Sequence, residues 1–222
     1  MTVFLQKWGQ FPVLRMKNGD LIPVIGIRRL RINTDGQGVR TLIGVAGCPL
    51  RCRYCINPHS WNGSISPMYF SPEQLYETVK VDNLYFQATN GGITFGGGEP
   101  LLHVERIIKF ISLCPQAWSM CAETSLHIPP HLLSLSADYF THFVIDIKTT
   151  DPMLYTEYTS GHFGLVWENL NRLCSLVDTR NITVRIPMIP GYVDAEKQQH
   201  SIAVISSLGI TNIDTFSYML VK

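Results

Sequence analysis

Six short apolar runs, at residues 40–45, 91–95, 118–123, 143–148, 182–187 and 212–218, alternate with segments that carry helix signals. Apolar runs of this length, separated by helical patterns, read as buried strands of βαβ units. Such units cross over with one hand and build a parallel sheet, so the fold class is α/β. Helix starts are marked in the sequence. Ser71 caps, Pro72 takes the first helical position, and Gln74 completes a capping box for a helix expected to run to about Tyr85. Leu101, Val104, Ile108 and Ile111 mark one face of the next helix. Residues 128–135 form a short helical connection. Asp151 and Pro152 open helical segments that reach Leu176 with a break near Gly161, and 195–208 is a helix with Ile202, Ile205 and Leu208 inward. Before the first run, Asn18-Gly19 lies between two short strand-like stretches and predicts a hairpin. The expected division is an N-terminal extension over 1–30 and a core domain over 31–222.

Composition narrows the class. The 222 residues are 45% hydrophobic and 16% charged, with a net charge of +1. This is enough apolar material for one good core. The near-neutral balance gives no electrostatic footprint for nucleic acid or an acidic membrane surface. No apolar stretch is long enough to span a bilayer, and the N-terminus lacks the pattern of a secretion signal. The expectation is a cytoplasmic protein with no membrane or nucleic-acid partner. In that compartment clustered cysteine means metal or catalysis rather than disulfides.

Three of the six cysteines, Cys48, Cys52 and Cys55, stand at C-x3-C-x2-C spacing in the loop after the first run. Thiolates at this density are soft ligands suited to iron–sulfur clusters, zinc or copper(I). A cubane cluster normally takes four protein thiolates. Three leave one iron open, and an open position marks a catalytic centre. Two other readings share the residues: a Cys3His zinc site completed by His59, and three unligated thiols. Cys114, Cys121 and Cys174 are isolated and read as small buried apolar residues.

In a parallel sheet ligands gather at the carboxyl ends of the strands. The polar residues of this chain lie there. The cysteines follow the first run; Gly97, Gly98 and Glu99 follow the second; Glu123 and Thr124 end the third. Asp146 and Lys148 end the fourth, and Arg185 is late in the fifth. Charges within apolar strands are costly unless paired or used. No Lys-Ser/Thr follows the glycines, so they do not read as a phosphate loop.

The cysteine spacing, with Tyr54 before the third cysteine, resembles the signature of the radical S-adenosylmethionine (SAM) superfamily. Thr94-Phe95-Gly96-Gly97-Gly98-Glu99-Pro100-Leu101 resembles that family's glycine-glycine-glutamate segment. Asp35-Gly36-Gln37-Gly38-Val39-Arg40, Cys55-Ile56-Asn57-Pro58, Asp146-Ile147-Lys148 and the stretch 185–192 are similar to one subgroup, the activating enzymes of glycyl radical enzymes. The resemblance covers residues 28 to the end. It implies a partial (β/α)6 barrel and a single 4Fe–4S cluster on Cys48, Cys52 and Cys55. SAM would be chelated at the open iron and cleaved reductively to a 5′-deoxyadenosyl radical. Tyr54 and the backbone to Asn57 would contact adenine. Gly97, Gly98 and Glu99 would meet the methionine end, Asp146 and Lys148 the carboxylate and ribose side, and Arg185 would also reach SAM. Glu123, Thr124 and Asp146 fall where some relatives hold a monovalent cation. The implied partners are a glycyl radical enzyme as protein substrate and an electron donor such as flavodoxin or ferredoxin. The hard step belongs to the cofactor, so no catalytic side chain is named.

The chain departs from the subgroup at Gln37, in place of proline, at Leu126, in place of glycine, and at Met219, in place of a histidine. It also stops at Lys222. These differences bear on substrate. A radical SAM enzyme acting on a small molecule or peptide, similar to 7-carboxy-7-deazaguanine synthase, is the second reading. A zinc-binding or electron-transfer module is the third.

Overall fold

The computed structural model describes residues 20–32 and 34–219. Eight strands form one sheet: β1 (Ile22–Ile32), β2 (Val39–Val45), β3 (Met68–Phe70), β4 (Gly92–Gly97), β5 (Ser119–Thr124), β6 (His142–Asp146), β7 (Ile182–Met188) and β8 (Asn212–Ser217). Their order is β3-β1-β2-β4-β5-β6-β7-β8. Pairing is parallel from β2 through β8. β1 is antiparallel to both β2 and β3. The six parallel strands are the six apolar runs, each shifted by no more than a few residues. The sheet is open, with β3 and β8 at its edges, as a partial barrel requires. The first half of the expected hairpin lies outside the described residues; the stretch after Asn18-Gly19 leads into β1.

Alternation along the strands separates two environments. Ile43, Val45, Ile93, Phe95, Phe143, Ile145, Val184 and Ile186 are fully buried under the helices. The helices are α1 (Pro72–Val79), α2 (Asn83–Thr89), α3 (Val104–Ile111), α4 (Pro130–Ala137), α5 (Pro152–Thr159), α6 (Phe163–Leu176) and α7 (Ala195–Ser206). Their contribution to this core includes Leu75, Phe86, Phe110, Leu133, Leu170 and Leu173, all at 0% exposure. The opposite face of the strands is polar. There the buried Arg40 guanidinium donates to Thr94 Oγ1 at 2.6 Å, to the Ile93 carbonyl at 2.5 Å and to the Ser119 carbonyl at 2.9 Å. It ties the starts of three strands together.

Two helices differ from the sequence pattern. The capping box at Ser71 is formed, with Gln74 as its reciprocal partner. The helix, however, breaks at residues 80–82 before α2 begins. Asp82 sits at that break, fully buried, and accepts from Arg29 and from Thr41 Oγ1, the latter at 2.7 Å. A buried carboxylate must be paired, and this pairing fixes the kink. In the second case a 3-10 turn, Pro100–His103, precedes α3 and rotates it. The buried face of α3 is Val104, Ile107 and Phe110, with Ile108 and Ile111 half-buried.

Candidate active site

The cysteine loop leaves β2 and is docked on α5. Arg51 and Arg53 donate their backbone N–H groups to the carbonyls of Thr159 and Tyr158, at 2.8 and 3.1 Å. A 3.2 Å turn bond from Cys55 N–H to the Cys52 carbonyl sets the second half of the motif. The end of β4 packs against the loop: Gly98 and Glu99 donate to the carbonyls of Val45 and Gly47 at 2.9 and 2.7 Å. This approach needs glycine. Gly97 has φ +88°, and a Cβ on Gly98 would stand 2.2 Å from the Gly47 oxygen.

These strand ends enclose one cavity of about 470 Å³. All three motif cysteines open onto it. So does every residue that the resemblance assigns to SAM or a cation: Tyr54 and Asn57 from the loop, Gly97, Gly98 and Glu99 from the end of β4, and Glu123 and Thr124 from β5. Asp146 and Lys148 from β6 and Arg185 from β7 complete that set. The sequence pattern missed Leu50, Ser125, Asp214, Phe216 and Tyr218, which also line it, as does Ile56 from the loop. For β8 a signal existed. Asp214, Phe216 and Tyr218 alternate, and period two places them on one face. Met219 lies outside the cavity and is 90% exposed.

The polar walls are paired. Arg185 bridges Glu123 at 2.8 Å, approaches Asp214 at 3.7 Å and donates to the Thr34 carbonyl at 2.9 Å. Burial pushes the Glu123 carboxyl up from its ordinary value, against the pull of Arg185. Lys148 donates to Tyr218 Oη at 3.0 Å and lies 3.6 Å from Asp146. Burial works against the Lys148 charge, but Asp146 and Tyr218 outweigh it and the pKa is raised. Glu99 is 1% exposed. Its carboxylate accepts from Leu101 N–H at 3.3 Å and Thr124 Oγ1 at 2.7 Å, and from Ser125 N–H and Oγ at 2.9 and 2.7 Å. Glu99 thereby clamps the end of β4 to the end of β5. Burial still raises its pKa, in opposition to these donors.

The donor set suits an iron–sulfur cluster. The three motif cysteines are free and half-buried. Burial pushes Cys48 up to about 12 and Cys52 up to about 11, so both are neutral thiols until a metal centre takes the proton's place. Among the described residues no three His, Cys, Asp or Glu side chains converge closely enough for a single metal ion. The three motif thiols share the wall of one cavity, where a cluster would be held. Also among the described residues, no helix is long and apolar enough to cross a membrane.

Comparison with known proteins agrees. The sequence profile described as the Radical SAM superfamily matches residues 42–200. The (2S)-3-sulfopropanediol dehydratase activating enzyme of Klebsiella oxytoca is 26% identical, over 88% of this chain and 81% of its own. The pyruvate formate-lyase 2-activating enzyme of Escherichia coli (strain K12) is 27% identical, over 90% of this chain and 78% of its own. Streptococcus suis SuiB, in a crystal structure with S-adenosylmethionine bound, shares the fold with a TM-score of 0.59 at 15% identity. That match covers 79% of this chain and 39% of SuiB. The chain belongs to the radical SAM superfamily of enzymes, with homologues named as pyruvate formate-lyase activating enzymes and other activating enzymes.

Proposed function

We propose that the chain holds one 4Fe–4S cluster on Cys48, Cys52 and Cys55 and binds SAM in the adjoining cavity. We further propose that it installs a glycyl radical on a partner enzyme, with an electron carrier such as a flavodoxin or ferredoxin as reductant. Membership of the superfamily implies the cluster and SAM. When bound, they supply one-electron chemistry able to draw a hydrogen atom from an unactivated C–H bond. The observation that carries the proposal is a single cavity lined by three thiols and by the polar ends of the neighbouring parallel strands.

The residues of the chain bind, orient and exclude water. Tyr54 offers an aromatic face at the loop for adenine, and it is held edge-on by Tyr158 and Tyr192, each at 6.1 Å. Asn57 reaches the Gly97 carbonyl at 3.4 Å and ties the loop to β4. The Gly97–Gly98 backbone comes close enough to leave room for the methionine end of SAM. Lys148 and Arg185 supply positive charge for its carboxylate, with Asp146 on the ribose side. Thr124 is committed to Glu99 and shapes the floor. A monovalent cation beside SAM would share Glu123, Thr124 and Asp146. Two of these already face Arg185 and Lys148, so SAM binding is expected to be the same in sodium, potassium or choline chloride.

The test is anaerobic reconstitution followed by SAM and dithionite. Release of 5′-deoxyadenosine is expected, with a glycyl doublet in the EPR spectrum of a partner enzyme. SAM cleavage with no such signal on any glycyl radical enzyme tried would contradict the substrate assignment and leave the superfamily chemistry intact.

A further inference from the structure

We infer that Tyr155 of α5 is a hydrogen-bond donor to the cluster: its phenol O–H donates to the sulfur of Cys52 when that cysteine is an iron-bound thiolate, and so sets how readily the centre accepts an electron. The inference rests on the proposed cluster and deepens it, by assigning a residue that tunes the centre from behind the cavity wall.

α5 buries Tyr155, Tyr158 and Thr159. Tyr155 is 1% exposed, and among the described residues its hydroxyl has no hydrogen-bond partner. Buried hydroxyls are nearly always paired, because an unmet one costs free energy. The ring packs on Phe163, with centroids 5.6 Å apart. Phenylalanine would fill the same space without the unmet donor, so packing does not explain the oxygen. The Thr159 hydroxyl, one turn on, is taken up: it donates to the Tyr155 carbonyl at 2.7 Å and accepts from Gly161 N–H at 3.0 Å. The Tyr158 hydroxyl is unpaired too. Its ring, however, belongs to the aromatic wall with Tyr54 and Tyr192, and among its ionisable neighbours Tyr218 and Lys148 act on it ahead of Cys52.

The neighbours of the Tyr155 phenol lead to one acceptor. The ionisable groups that act on it are Cys52, Lys148 and Glu99, and all three line the cavity. Lys148 is itself a donor, engaged with Tyr218 and Asp146. Both oxygens of Glu99 are held by four protein donors. The Cys52 sulfur remains. It is fixed against the same helix, since Arg51 and Arg53 on either side of it donate their N–H groups to the Thr159 and Tyr158 carbonyls. A neutral thiol is a weak hydrogen-bond acceptor, whereas a thiolate is a strong one. Iron binds the thiolate.

The phenol suits the task. Burial, and then Cys52, push it above its ordinary value, with Lys148 opposing, so it stays protonated and remains a donor. A donor to a thiolate sulfur offsets negative charge and favours the reduced form, which carries one electron more. Hydrogen bonds to the sulfurs are among the levers that set the potential of such centres. Tyr155 is therefore a positioning residue. It acts on the iron through Cys52 and does not itself line the cavity.

The test compares the wild type with Tyr155→Phe, which removes the oxygen and nothing else. Both proteins are reconstituted anaerobically with iron and sulfide. The cluster is then reduced with dithionite at controlled potentials and followed by EPR. The variant is expected to hold the same iron but to accept its electron about tenfold less readily, a potential about 59 mV lower for a one-electron couple. Reconstitution in D2O should give an exchangeable deuteron coupled to the reduced cluster of the wild type that is missing from the variant. In urea, without iron, the variant should be no less stable than the wild type, because the hydroxyl it loses has no partner. An unchanged potential in a variant with a full cluster would overturn the inference and leave the cluster assignment standing. A variant less stable without iron would give the hydroxyl a structural partner and overturn it as well. Failure of the wild type to take up a four-iron cluster would overturn the proposed function, and the inference with it.

Discussion

Glu99 is the residue at which motif and structure divide the labour. Both carboxylate oxygens are engaged by four protein donors, so its side chain ties the end of β4 to β5 at the cavity it lines with Gly97 and Gly98. Glu99→Gln would turn an amide NH2 toward donors that need an acceptor. A loss of about 2–4 kcal/mol in urea-unfolding stability is expected; unchanged stability would remove Glu99 from this role. Leu126 shows a second conflict, between backbone and core. It adopts φ +58° and is fully buried. A glycine there would relieve about 1 kcal/mol of backbone strain. The same change deletes a buried side chain worth about 3 kcal/mol or more. Leu126→Gly should therefore destabilise the protein by about 2 kcal/mol or more in the same assay, and a stabilised variant would show that the strain dominates. The departure at Leu126 was visible in sequence, but its left-handed backbone was not, because leucine rarely signals that conformation.

At the scale of elements, the six parallel strands were legible because burial on the helix-facing side writes Ile, Val and Phe into every run. The site residues were legible for a related reason: charge at the end of an apolar strand has few uses. What escaped was set by tertiary contact. β3 is short and largely exposed, so it leaves no pattern. The break before α2 depends on Asp82 meeting Arg29 and Thr41, which are 53 and 41 residues away in the chain. Asp82→Ala leaves the Thr41 hydroxyl without its acceptor and Arg29 without its carboxylate. Because Arg29 is half-exposed, the expected loss is about 2–3 kcal/mol, below that of a wholly buried pair. A smaller effect than that of Ser71→Ala, about 1 kcal/mol by loss of a cap, would mean that the kink is held by helix packing alone.

For the whole molecule, an open sheet places the ends of β2 and β4 to β8 around one cavity. The helix-covered face supplies rigidity, and the polar face supplies a paired set of charges into which an anionic and a cationic group of one ligand can fit. In the proposed site three thiols would hold a cluster with one iron open to SAM. The most direct measurement of that claim is iron and sulfide analysis of the anaerobically reconstituted protein, combined with electron–nuclear double resonance on SAM labelled with 15N at the amino group. The expected result is about four irons and four sulfides per chain, with a 15N coupling to the reduced cluster. A lone zinc, or a cluster that shows no coupling because a side chain of the protein fills its fourth corner, would contradict the claim.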